Sequence, residues 1–429
     1  MIALLGIILG VCVNYIASSW GWEPRKDNPW NRVDYCRPWW YKIPVVGWFG
    51  MRKEADRFGR GFWIRPLLTE VGMGIFAVWF FVSEVAGTVM LLEWNGIPVT
   101  DATEVTLWVR VIFQTIFVAL MVAATWIDFD EKTIPDGITV SGTLFALVMS
   151  FLFPLTIGVA EDAQTGKLIP IAIQSPTQLL DFPISPIMTG DDILVPMNGA
   201  SPCPPVGVRR SENDGIFGLV SALVCWWGWC FALMERHWRP RHGFRRAWVI
   251  FWERLARTPS TRRLWNLGKW GTLALVMLWA TGWSQWLTVW STLIGIGVAG
   301  GFMWLIRLAG KFAMDREAMG FGDVTLMAMF GAFLGWQPCL VLFFIAPFAG
   351  LVIGLIYVIV FRDTEIPFGP FLCAAALITM LNWPILWALT LPLFNLGTLL
   401  FTFGLGLLLL MVILLCLIQW VKKLLGVEY

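Results

Sequence analysis

Long apolar runs, following one another with short charged breaks, constrain this chain more than any other feature. About 20 consecutive apolar residues cross the hydrocarbon core of a bilayer as one helix. Runs of that order lie at 1–19, 67–92, 106–127, 138–160, 215–234, 271–288, 290–308, 324–337, 340–360, 370–391 and 394–420, of which 324–337 is the shortest. With 58% hydrophobic and 14% charged residues and a mean hydropathy of +0.70, the composition excludes a disordered or nucleic-acid-coating chain. It also argues against a soluble enzyme. The expected fold class is all-α: a polytopic integral membrane helical bundle of about eleven spans. The first nineteen residues lack a basic start and a small-residue cleavage site, and read as a retained helix.

Charge in the breaks sets the orientation. Segment 20–66 carries ten Lys and Arg residues from Arg25 to Arg65, and segment 235–270 carries ten more, from Arg236 to Lys269. Both belong inside by the positive-inside rule. Segment 93–105 has acids and no Lys or Arg, and segment 161–214 sets seven acids against Lys167, Arg209 and Arg210. Both read as external, so the N-terminus is expected outside. Segment 161–214 is too polar and Pro-rich to cross a membrane and reads as a long external insertion. Segment 235–270 mixes arginine with Trp238, Trp248, Trp252 and Trp265. It reads as an interfacial stretch on anionic lipid, with an acidic docking partner as the alternative. Membrane lipids are therefore expected partners, and nucleic acid is not.

The eight cysteines contain no C-x-x-C pair, so no zinc ribbon or thioredoxin-like site is expected, and no metal. Carboxylates at a membrane edge are costly and therefore informative. Asp128 closes the apolar run Val122–Ile127, and Asp323 closes Met319–Gly322 and opens another apolar run. The charge pattern puts both at the cytoplasmic edge. Two neighbouring carboxyls cannot both ionise cheaply, so one holds a proton while the other is charged. That pair can activate water and polarise a carbonyl, which is aspartic peptidase chemistry without metal. Gly320 and Gly322 are expected to allow unusual backbone angles and close approach of a substrate strand. Pro135 is expected to end the turn after Asp128 and start the next helix. An Asp at a helix end is otherwise often a cap or a solvated terminus, and Asp130, Asp136 and Asp315 are read that way.

These residues carry a family resemblance. Ile127-Asp128 followed by Ile134-Pro135-Asp136 resembles the first aspartate motif of type IV prepilin peptidases. The run Arg316–Trp336 resembles the second, well beyond a bare G-x-G-D. The run Ile366–Leu372, with Pro367, Gly369 and Pro370, is similar to the proline-glycine element that follows. The resemblance implies that Asp128 and Asp323 are the catalytic pair of a membrane aspartic endopeptidase. Its substrates would be prepilin or pseudopilin precursors, cut after a glycine that ends a basic leader, at the cytoplasmic face of the plasma (inner) membrane. More faintly, Trp40–Trp48 and Arg65 with Glu70 look like the loop of members that also N-methylate with S-adenosylmethionine.

That loop usually holds two C-x-x-C pairs, and here it has only Cys36. Cleavage calls for no cofactor. Cleavage alone is the expectation, with S-adenosylmethionine relevant only if methylation survives. The resemblance thus divides the chain into 1–105, with a degenerate methyltransferase-like loop, and 106–429, a peptidase domain interrupted by the insertions 161–214 and 235–270. Two rivals use the same acids: a proton-coupled transporter with Asp128 and Asp323 as relay carboxylates, and a presenilin-like intramembrane protease. No internal repeat supports the first, and no Tyr-Asp or Pro-Ala-Leu motif supports the second. A non-catalytic assembly factor on the same fold is a third reading, disfavoured because nothing structural demands both aspartates.

Overall fold

A computed structural model describes residues 1–31, 36–86, 101–153, 157–162, 168–172, 192–196, 214–234, 258–281, 285–314, 319–361 and 367–394, with isolated residues at 253 and between 402 and 417. The described body is a helical bundle. Its helices are α1 (Ile2–Ser19), α2 (Ile64–Phe81), α3 (Asp101–Glu131), α4 (Asp136–Leu152), α5 (Asp214–Leu233), α6 (Pro259–Thr281), α7 (Gln285–Met314), α8 (Phe321–Leu334), α9 (Trp336–Phe361), α10 (Gly369–Leu381) and α11 (Trp383–Phe394). Among the described residues, six helices are long and apolar enough to cross a membrane: α1, α2, α5 and the apolar stretches Trp108–Glu131, Thr288–Phe312 and Trp336–Leu355. Three shorter apolar helices, α4, α8 and α10, join them. Of the expected segments, 93–100, 235–257 apart from residue 253, and most of 394–420 lie outside the described residues.

Several expected boundaries move. The run 67–92 is α-helical only to Phe81, and the run 370–391 breaks at Asn382 into α10 and α11. The run 138–160 is helical only to Leu152, and β1 (Ile157–Asp162) is a strand. With β2 (Leu168–Ala172) and β3 (Asp192–Pro196) it forms a small antiparallel sheet of order β2-β1-β3, where Val159 stands opposite Pro170 and Val195. This sheet, in and beside the expected insertion 161–214, is the departure from an otherwise all-α fold. The runs 271–288 and 290–308 become one helix ending at Thr281 and a second starting at Gln285.

α8 is the axis of the bundle. Every side chain from Asp323 to Leu334 is buried, as expected of a helix that is apolar on all faces. At 14 residues it is about 21 Å long, shorter than a bilayer core of about 30 Å. It stops at Gly335, whose φ of 88° is a left-handed value that favours glycine, and α9 begins at the next residue. The small residues expected to permit close helix packing do so: a side chain on Gly331 of α8 would strike the backbone of Gly295 on α7. Phe333 stacks on Phe117 at 4.5 Å and on Phe113 at 4.6 Å, which fixes α8 against α3.

The basic segment between α1 and α2 is ordered by polar pins and aromatics. Arg37 forks onto Glu54 at 2.8 and 3.2 Å and also donates to the carbonyls of Asn28 and Lys26. Tyr41, Trp48 and Met51 form a small core with Trp40, Phe62, Trp63 and Leu67 around it. The buried Glu70 of α2 accepts from Trp48 Nε1 at 2.7 Å, Val45 N–H at 2.6 Å and Asn14 Nδ2 at 3.1 Å. One carboxylate thus ties α1, α2 and the segment between them.

Candidate active site

Asp128 lies on the last turn of α3. The helix ends at Glu131, and Lys132 turns the chain with a left-handed φ of 54°, its N–H donating to the Asp128 carbonyl at 2.9 Å. Pro135 then caps α4 in extended geometry (φ −66°, ψ 133°), as its place in the sequence predicts. Between these two residues, Ile134 is pushed inward and buried.

Asp323 lies at the third position of α8, with Gly320 as N-cap. Its carboxylate reaches back to accept the Gly320 N–H, the reciprocal half of a capping box. The loop before it is pinned from α7. Arg307 Nε donates to the Met319 carbonyl at 3.0 Å, and its guanidinium lies 5.6 Å from the Phe321 ring centroid. Of the second motif, residues 315–318, including Asp315 and Arg316, lie outside the described residues.

The third element brings the two together. Gly369 opens α10, with Pro370 in its first turn and Pro367 just before the helix, and its N–H donates to Asp128 Oδ2 at 3.1 Å. A side chain on Gly369 would run into that same carboxylate. A Cβ there would also stand 3.0 Å from Ile134 Cδ1, and one on Gly322 would stand 3.0 Å from Ile134 Cβ. Ile134 is therefore a wedge between the second and third motifs, delivered by the turn that follows the first. The carboxyls of Asp128 and Asp323 are close enough to interact electrostatically, and both are buried, at 4% and 8% exposure. Beneath them Cys373 of α10 is hydrogen-bonded with Thr125 and feels both charges.

Gly320 and Gly322 do not use unusual backbone angles. Gly320 has φ −63° and ψ 153°, open to any residue, and Gly322 is helical. What Gly322 supplies is room for Ile134. Asp130 is exposed at the end of α3, as read from the sequence, and there it pairs with Arg65 and Arg25. The sequence marks Ile134 only as a motif member and assigns no site role to Arg307, Thr125 or Cys373. The only signal for Arg307 was its nearness to the aspartate motifs, and none marked the other two.

Comparison with known proteins finds similarity in part of the chain. Residues 261–355 match the type IV leader peptidase family. A prepilin leader peptidase/N-methyltransferase of Legionella pneumophila is 41% identical over 90 residues, which is 19% of this chain and 31% of that protein. Those of Pectobacterium carotovorum subsp. carotovorum and Burkholderia pseudomallei (strain 1026b) are 38% and 33% identical over 91 and 116 residues, covering 20% and 25% of this chain and 33% and 38% of theirs. The chain thus spans about a third of the length of the curated relatives it matches. No solved structure matches it. The matched stretch holds Asp323 and ends before Gly369, and Asp128 stands upstream of it. Over residues 261–355, this membrane protein is similar to the type IV leader peptidase family.

Proposed function

We propose that the protein is a membrane aspartic endopeptidase that removes the basic leader of prepilin or pseudopilin precursors, cutting after a glycine at the cytoplasmic face of the plasma membrane. The observation that carries this reading is the meeting of Asp128 and Asp323, from α3 and α8, under the N-terminus of α10. One proton is shared between two buried carboxyls, because both cannot ionise cheaply side by side. The charged one takes a proton from water as the water oxygen bonds to the scissile carbonyl carbon. The neutral one gives its proton to the carbonyl oxygen. The resulting diol collapses with cleavage of the C–N bond, the leaving amine takes a proton from the dyad, and the shared proton is restored. The Gly369 and Gly320 N–H groups hold the two carboxylates in place without supplying charge of their own. The similarity to prepilin leader peptidase/N-methyltransferases supports leader peptides as substrates.

Asp128 stands on the last turn of α3 and Asp323 on the first turn of α8, at helix ends, whereas a transporter's relay pair is expected near mid-membrane between repeated halves. The segment 36–63 is held by Glu70 and its aromatics, so a missing zinc staple does not leave it without support. We read it as a structural layer and the enzyme as one that cleaves without methylating. Co-expression with a precursor bearing a lysine-rich leader, a glycine and an apolar helix tests both points. Mass spectrometry is expected to find a mature N-terminus without added methyl. An uncut precursor would remove the peptidase reading, and a terminus heavier by one methyl group would restore methylation.

A further inference from the structure

The end of α3 that carries Asp128 is gripped on its opposite side. Arg65, in the first turn of α2, donates from both terminal nitrogens to Asp130, at 2.8 Å to Oδ1 and 2.7 Å to Oδ2. The same guanidinium stacks on the Trp126 ring at 4.6 Å. Trp126 and Asp130 are four residues apart and so share one face of the helix, while Asp128, two residues from each, points away from it. Trp126 Nε1 donates to Thr69 Oγ1 at 3.1 Å, so α2 holds this face at two levels. Arg25 adds a second cation to Asp130 at 2.9 Å. Glu131 is held as well, accepting the backbone N–H groups of Trp22 at 2.8 Å and Glu23 at 3.4 Å.

A helix end with orphan carbonyls frays unless something outside it holds it. Here the residues that do the holding come from α2 and from the segment after α1, outside the stretch that matches the peptidase family. A surface ion pair contributes little on its own, but a bidentate fork stacked on an indole is directional, and direction is what a reacting carboxylate needs. We infer that Arg65 and Asp130 are positioning residues: with Trp126 they form a clamp through which the N-terminal layer sets the angle of Asp128 toward Asp323. This inference assigns Arg65 to the cleavage reaction, and it rests on the function proposed above.

The test uses the full-length protein in lipid-containing micelles and the precursor already described, with two readouts. Displacing a reacting group by about 1 Å costs on the order of a hundredfold in rate. Arg65→Ala and Asp130→Asn are therefore expected to lower kcat about a hundredfold with KM within about threefold of the parent. Arg65→Lys, which keeps the charge and loses the fork, is expected to fall between. The exchanged pair Arg65→Asp with Asp130→Arg is expected to recover at least about tenfold of the loss. Amide hydrogen exchange over residues 126–131 is expected to quicken in the single variants. Unchanged kcat, or a raised KM at unchanged kcat, overturns the clamp while leaving the peptidase reading intact. If the parent protein leaves the precursor uncut, the peptidase reading falls, and the exchange rates alone decide the clamp: unchanged rates overturn it. Should Arg65→Ala not accumulate, Asp130→Asn and Arg65→Lys carry the same comparison.

Discussion

Gly369 has no room for a methyl group, because the space its side chain would take is filled by the Asp128 carboxylate that its N–H binds. Gly369→Ala is expected to displace that carboxylate and lower cleavage about a hundredfold, with the protein still accumulating in the membrane. Gly322 differs in degree. Its missing Cβ faces the Ile134 Cβ at 3.0 Å and the Ile134 backbone at 3.3 Å, contacts that a shift of a few tenths of an ångström relieves, so Gly322→Ala is expected to cost about tenfold or less. Cleavage rates measured on equal amounts of the two variants check this order. The sequence marks both glycines as motif members, but not their reasons. Each is small because of a contact with a residue far away in the chain, and no local pattern encodes such a contact.

At the scale of elements, the loop before α8 owes its shape to α7. Arg307 reaches across to the Met319 carbonyl and the Phe321 ring, and so sets where α8 begins and where Asp323 points. Arg307→Ala is expected to lower kcat between about tenfold and a hundredfold, with Arg307→Lys intermediate, because an ammonium keeps the charge but neither stacks nor holds the same geometry. Steady-state kinetics on the two variants checks it; equal kcat in both and in the parent would show that the loop holds its shape unaided. Much of this level was legible from sequence. Apolar runs of bilayer length matched α1 and α5 nearly to the residue and located α2 but not its end, Pro135 marked the start of α4, and Gly320 and Gly322 marked the start of α8. Two further boundaries were not legible. Leu152 ends α4 although apolar residues continue past it, since hydropathy reports what a bilayer accepts and not where helical geometry stops. The split after Thr281 falls at the short polar break Gly282-Trp283-Ser284-Gln285, inside the expected run 271–288 and too brief to register over a window of bilayer length.

For the whole molecule, α3, α8 and α10 come from distant parts of the chain and meet where the two carboxyls lie. The N-terminal layer reaches the end of α3 from the opposite side, through Arg65 and Glu131, and is itself tied down by Glu70. Its charges read in the sequence as a cytoplasmic orientation signal. Their pairing with Asp130 was hidden because ion pairs between remote residues leave no periodicity. The account depends on Asp128 and Asp323 working as one unit, and a double-mutant cycle tests that most directly. Cleavage of the same precursor is measured for the parent, Asp128→Asn, Asp323→Asn and the double variant, each at equal membrane abundance. Each single change is expected to cost about a hundredfold or more, and the double variant no more than the worse single one, since half a dyad does nothing. Near-parent cleavage by either single variant, or losses that multiply in the double, would contradict it.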